Sequence, residues 1–342
     1  MGKETDQKKP DFIEFSNNLD DDGYLTEFSK KRAGFSIGGT TRKRFVRFRA
    51  DVFDDLMKAM KSKNCSYVTY FDELVKGGYL RPDGYPFEYI AAMLKHTRLG
   101  TIQEMEVEEL TSKLLNYFNL PTVYNKTFYL GGRPRTLSVD FLKNNEQIIP
   151  MSNGNPALKD TPIEQWDSPQ VWDKGFRNAI SKIIKNVPNK QQIIDNIMQD
   201  IFKGYLYRAI LLGDYDYSSR NLMIIYDPSK NDWKLSPNLD FEMALTPVDH
   251  EKFTTLFRPM LDFIKNKYPD IFNQFLNKIS TIKRDRNIVK IINSSIANEK
   301  DRFKYYFLLK NNARMILDMY PRPNTSCFDR LKQEMEKKND GR

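Results

Sequence analysis

The balance of polar and apolar positions shifts several times along the chain, and each shift predicts a different kind of structure. The first thirty residues are rich in Lys, Asp, Asn and Glu with few apolar positions, and Leu331 to Arg342 is similar. Residues 1–30 and 331–342 are therefore expected to be disordered. A Gly34, Gly38, Gly39 cluster then leads through Thr40-Thr41 into Phe45-Val46-Arg47-Phe48-Arg49, where apolar and basic side chains alternate. A period of two after glycines predicts a turn followed by a strand. Val52 to Met60 has apolar side chains at helical spacing, and Ser66 to Phe71 reads as another short strand. Leu110, Leu114, Leu115 and Phe118 fall on one helical face and Pro121 stops the run, which predicts a helix over Glu106 to Phe118. Thr127 to Leu130 and Arg135 to Phe141, separated by Gly131-Gly132, predict a hairpin.

The second half has a different pattern. Pro156, Pro162 and Pro169 make Met151 to Ser168 the expected linker between two lobes. Ile193, Ile194, Ile197, Met198, Ile201 and Phe202 form one wide helical face, so a long buried helix should run to Leu212 and end at Gly213. Leu222 to Tyr226 and Trp233 to Phe241 predict a hairpin whose second strand delivers Asp240, and beyond Glu251 only helical patterns follow, led by Phe253, Phe257 and Met260. The chain thus reads as α+β, with a mixed unit over 31–150 and a helical unit over 151–330.

Composition narrows the chemistry. With 40% apolar and 13% aromatic residues the chain can form a core. Two cysteines, Cys65 and Cys327, and two histidines, His96 and His250, exclude a disulfide scaffold, a Cys-ligated zinc site and a multi-histidine metal centre. A Ser-His-Asp triad is a poor fit for the same reason. No segment approaches the roughly 18 consecutive apolar residues of a membrane span, so the cytoplasm is the expected compartment, with an exported effector as the alternative. The formal charge is +9, from 54 Lys and Arg against 45 Asp and Glu. It is spread along the chain and reads first as a solvated basic surface, with nucleic acid and anionic lipid as weaker candidate partners.

The chemistry is concentrated in Gly213-Asp214-Tyr215-Asp216, in Asn221, and in Asn238-Leu239-Asp240-Phe241. Phosphoryl transfer needs a carboxylate that accepts a hydroxyl proton, and amide and carboxylate oxygens that hold Mg²⁺ against the nucleotide phosphates. Asp216 suits the first task, and Asn221, five residues on, and Asp240 suit the second. The competing reading makes these residues caps and turns; against it stands an ionised Asp240 inside an apolar strand, which would be costly without a partner. Asp214 reads as a neighbour with no role of its own, whose replacement should be mild.

The order of these features resembles the HipA-like serine/threonine kinases, and among them the cell-translocating kinase A branch. The resemblance runs from Gly34 to about Leu245. It rests on Leu211-Leu212-Gly213 before the loop, Asp216 with Asn221, and Pro237 to Asp240. It also includes Glu109-Leu110 on a helix closing in Phe118-Asn119-Leu120-Pro121, and Val139-Asp140-Phe141-Leu142 as a strand leading to the interlobe hinge. The resemblance implies a bilobal protein-kinase-like fold, with a small β-rich N-lobe holding ATP and a larger helical C-lobe. It implies ATP and Mg²⁺ as cofactors, a protein Ser or Thr hydroxyl as acceptor, and autophosphorylation as a further activity. It casts Asp216 as catalytic base, Asn221 and Asp240 as metal ligands, and Glu109, inseparable from Glu108 by sequence, as the carboxylate orienting a phosphate-binding cation. Gly38, Gly39, Thr40 and Thr41 would form the phosphate loop, with Asp140 and Leu142 at the nucleotide. Two positions depart from the family: Ser218 stands where a histidine is usual, and Arg47 stands where a strand lysine is usual. Lys43 is the alternative cation. A third possibility is that the strand is Tyr67 to Phe71, with no lysine at all, which would suggest a weak kinase or a pseudokinase acting as a binding module; a lipid or small-molecule kinase is the other alternative.

Overall fold

The computed structural model describes residues 101–130, 133–139, 141, 146–158, 168–185, 187–241, 243–247 and 250–321, together with three earlier strands. Those strands are β1 (Phe12–Glu14), β2 (Lys43–Phe48) and β3 (Ile90–Lys95). The expected helix at Val52 to Met60, the strand at Ser66 to Phe71 and both cysteines lie outside the described residues. After β3 come α1 (Ile102–Tyr117), β4 (Asn125–Leu130) and β5 (Arg133–Val139). The sheet is antiparallel in the order β1-β2-β3-β5-β4, which puts β3 at its centre. In the β4–β5 hairpin Leu130 faces Arg133, the two-residue register that the Gly131-Gly132 pair predicts. Helix α1 starts at Ile102, four residues ahead of its predicted start, and Leu110, Leu114 and Leu115 are buried as their spacing requires.

A second sheet begins with β6 (Gln147–Pro150), which pairs with β7 (Met223–Asp227), itself paired with β8 (Asp232–Leu235). The change of sheet therefore falls between Val139 and Gln147, ahead of the proline-rich stretch expected to link two lobes. That stretch is packed where it is described: Met151 and Leu158 are fully buried, and Gly154 lies so close to Ala179 that a Cβ would sit 2.1 Å from its carbonyl oxygen. Pro156 opens a packed 3₁₀ turn; residues 159–167, with Pro162, lie outside the described residues.

The helical part comprises α2 (Pro169–Ile183), α3 (Lys190–Gly204), α4 (His250–Lys267), α5 (Pro269–Ile279), α6 (Arg286–Ser295) and α7 (Glu299–Met319). Short polar side chains start several of these. Ser168 accepts from Val171 N at 3.3 Å, Asp285 from Asn287 N at 3.0 Å and Asn298 from Lys300 N at 2.9 Å, each satisfying a donor that the first helical turn leaves open. Trp172 is the centre of the core, with ring centroids 4.5 Å from Phe176 and 5.1 Å from Phe202. Among the described residues no helix is long and apolar enough to cross a membrane. The architecture is mixed α+β, mostly helical with small antiparallel sheets. Gly154→Ala should lower stability by about 1–3 kcal/mol through overpacking, read as a fall in melting temperature; an unchanged melt would show that 151–158 does not pack against α2.

Candidate active site

The sheet, α1 and one loop of the helical half meet at one lysine, and a second loop is tied to the first through Arg208. Lys95, the last residue of β3, is 3% exposed, and an unpaired ammonium at such depth would cost several kcal/mol. It is paired twice, with Glu108 on α1 and with Asp240 Oδ1 at 3.1 Å. Glu108 is itself buried. Glu109, the expected orienting carboxylate, faces elsewhere: its Oε2 accepts from Thr127 N at 2.7 Å, and its Oε1 meets Lys113 at 2.8 Å and Lys126 at 3.2 Å. Glu109 therefore fastens α1 to β4, while Glu108 is the carboxylate of this pair that meets Lys95. Two further bonds hold α1 to the C-terminal helices. Glu106 Oε1 accepts from Ala297 N at 3.0 Å, and Tyr117 Oη donates to Asp285 at 2.5 Å. Burial pushes the Glu106 carboxyl above its ordinary value.

The first loop follows α3, which does not continue to Leu212 as a regular helix. Residues Tyr205–Leu211 widen into a π-helical turn, with Leu212 N reaching back to Tyr207 O at 3.0 Å and Asp214 N to Arg208 O at 3.1 Å. Gly213 closes the turn at φ +61°, a conformation suited to glycine. This geometry brings Arg208 onto Asp214, Nε to Oδ2 at 2.5 Å, with both side chains fully buried. Burial pushes the Asp214 carboxyl up, and the Arg208 guanidinium opposes that shift. Asp214 Oδ1 in turn accepts from Asp216 N at 3.1 Å. Asn221 Nδ2 donates to Asp216 O at 2.8 Å, and Ser219 Oγ donates to Leu158 O. The five-residue spacing thus closes a ring that fixes Asp216 at the half-exposed rim. Asp214 is no neutral neighbour, because it is the buried brace of the loop.

The second loop, Ser236 to Phe241, is not the strand expected to deliver Asp240. Strand β8 ends at Leu235, and Asn238 instead bridges to the segment after α1: Asn238 N donates to Pro121 O and Val123 N to Asn238 O, both at 2.9 Å. Asp240 adopts φ +63° with its side chain 24% exposed, so its carboxylate is hydrated in part and paired with Lys95. Arg208 reaches this loop too, Nη1 to Leu239 O at 2.7 Å and Nη2 to Asp240 O at 2.5 Å. Its guanidinium carbon lies 4.7 Å from the Phe241 ring centroid and 5.4 Å from that of Tyr217. One buried cation therefore sets both loops.

The structure joins Asp216 to Asn221 by one hydrogen bond and, through Arg208, ties Asp214 of that loop to the backbone at Leu239 and Asp240; it separates Glu108 from Glu109, and it adds Lys95 and Arg208, for which the sequence pattern gives no role. The signal for Lys95 was a strand-length apolar run, Ile90 to Leu94, ending in lysine. Lys43 and Arg47 lie on β2 beside it, with Lys43 opposite Lys95 in the register. Gly38, Gly39, Thr40, Thr41, Asp140 and Leu142 lie outside the described residues.

No protein-family model matches the chain, and no curated protein matches it. Among solved structures it is similar to the Helicobacter pylori proinflammatory kinase CtkA, at 15% identity and a TM-score of 0.47, over 67% of this chain and 88% of that one. It is also similar to a chain of the Shewanella oneidensis MR-1 toxin–antitoxin system HipA, HipB and its operator DNA complex. There the identity is 12% and the TM-score 0.45, over 88% of this chain and 67% of that one. Both likenesses are loose.

Asp214→Asn should cost on the order of 3–5 kcal/mol, because it leaves the Arg208 guanidinium buried without its counter-charge. Asp216→Asn at the rim should leave the melting temperature nearly unchanged. Thermal unfolding of the two variants checks this, and a wild-type melt for Asp214→Asn would contradict the buried pair.

Proposed function

We propose that the chain is an ATP- and Mg²⁺-dependent phosphotransferase that delivers the γ-phosphoryl group to a Ser or Thr hydroxyl of a protein. The observation that supports this most is Lys95, held between a helix carboxylate, Glu108, and a loop carboxylate, Asp240. In this reading 31–150 and 151–330 are the lobes of a kinase-like fold, with β6 at the end of the first pairing with β7 of the second, nucleotide between the lobes, and 1–30 and 331–342 as flanking segments.

The residues present fit a Mg²⁺–nucleotide. Asp240 offers a part-exposed carboxylate. Asn221 has committed its Nδ2 to Asp216 O, so its Oδ1 is the group left for a ligand. Two hard oxygen donors suffice where phosphates and water complete an octahedral ion, and among the described residues no cluster of three His, Cys, Asp or Glu forms a separate metal site. When bound, Mg²⁺ supplies neutralisation of the phosphate charge.

The chain's own side chains do the rest. Lys95 offers its ammonium to phosphate oxygens, and Glu108 keeps it aimed by fixing it to α1. Asp216 orients the acceptor hydroxyl and takes its proton. Asn221 and Asp214 hold the Asp216 backbone from two sides, so the carboxylate needs little reorganisation at the moment of transfer. The acceptor class follows from the HipA-like pattern of the Asp216 loop. The pseudokinase alternative rests on a missing lysine; in this reading Lys95 fills that position.

Asp216→Asn should lower turnover by roughly 10²–10⁴ at unchanged melting temperature and nucleotide affinity, and excess EDTA should abolish transfer. Incorporation of label from γ-labelled ATP into a Ser/Thr-rich protein measures both. Turnover that persists in EDTA, or an Asp216→Asn enzyme at the wild-type rate, would overturn the assignment.

A further inference from the structure

The outer face of α7 has a composition that neither the core nor the candidate site requires. Phe303 and Phe307 are one helical turn apart, 72% and 60% exposed, with their rings 6.4 Å apart and nearly parallel at 18°. Scattered exposed apolar residues are ordinary, but a stacked aromatic pair at the crest of a helix is not. The opposite face of the same helix is buried through Tyr305, Leu308, Leu309 and Asn312, so the pair points directly away from the core. Around it on the outward side stand Lys300, Lys304 and Arg314, all exposed, and Lys310, half-buried. The 3₁₀ turn that packs beside α7 adds exposed Lys283 and Arg284, where Tyr306 Oη donates to Lys283 O at 3.2 Å.

We infer that this ridge is a docking surface for an anionic lipid membrane. The pattern is that of a helix lying in a bilayer interface: an aromatic crest that enters the headgroup–acyl boundary, flanked by long basic side chains whose ammonium groups meet lipid phosphates. Shape favours a bilayer over a folded partner. Phe303 and Phe307 form a convex crest, and a protein would need a complementary groove to bury it, whereas a lipid interface adapts to it. Charge favours the same partner, since each Lys or Arg near an anionic leaflet contributes about 1 kcal/mol, and the chain's +9 charge does not oppose the approach. This surface is independent of the phosphotransferase reading, because none of its residues takes part in the Lys95–Asp240 site.

The test is flotation of the full-length protein with phosphatidylcholine vesicles and with vesicles containing about one-third phosphatidylserine. The wild-type protein should float with the anionic vesicles only. Phe303→Ala/Phe307→Ala should weaken that binding about tenfold or more at an unchanged melting temperature, and Lys300→Glu/Lys304→Glu should weaken it in a salt-dependent manner. Equal binding by the Phe double variant would show that charge elsewhere on the chain is responsible and would overturn the proposal. So would absence of vesicle binding together with a Phe-dependent dimer, or with Phe-dependent binding to single-stranded RNA.

Discussion

Burying a lysine ammonium requires compensating charge, and the placement of Lys95 is the constraint on which the arrangement of the site depends. Its two counter-charges come from parts of the chain far apart in sequence: Glu108 from the helix beside the sheet and Asp240 from a loop of the helical half. Neither pair could form unless β3, α1 and the Ser236–Phe241 loop met at one point. Removing any of the three charges would leave another buried with too few partners, which costs far more than a surface ion pair contributes. Under the proposed function the three groups divide the work: Lys95 would meet phosphate oxygens, Glu108 would hold it to α1, and Asp240 would hold the cation that accompanies the nucleotide.

A second buried cation fixes what surrounds Lys95. Arg208 gives Nε to Asp214 and its two terminal nitrogens to the carbonyls of Leu239 and Asp240. The loop bearing Asp216 and the loop bearing Asp240 are therefore held by the same side chain. Helix α1 is tied in three places, by Glu109 to β4, by Glu106 to Ala297 and by Tyr117 to Asp285. Glu108 is thus presented from a fastened element, with attachments to both the sheet and the C-terminal helices.

Much of this was legible in the sequence where periodicity or local spacing decides it. The apolar face of α3, the β4–β5 register and the Asp216–Asn221 pair are short-range features, and the last is realised as a single hydrogen bond across five residues. What sequence could not resolve depends on tertiary contacts. Glu108 and Glu109 differ by one position on a helix, and only the locations of β3 and β4 assign one to Lys95 and the other to Thr127. Asp214 appeared dispensable because regular helical spacing gives no reason for Arg208 to reach it; the π-helical turn supplies that reason. The apolar neighbours of Asp240 predict a strand, yet they belong to a loop that bridges to Pro121. Lys95 lay at the end of a short apolar run with no turn motif beside it, and basic residues next to a glycine cluster were the more visible alternative.

The proposed function turns on Lys95, rather than a basic residue of β2, receiving nucleotide phosphate. The direct measurement is kcat/KM for Mg-ATP in Lys95→Met beside Lys43→Met and Arg47→Met, with melting temperatures recorded for all three. Lys95→Met should lose on the order of 10²-fold or more in a protein that still folds, and the two β2 variants should change within a few-fold. Near-wild-type kcat/KM in Lys95→Met, with the large loss falling on Lys43→Met or Arg47→Met, would contradict that role for Lys95.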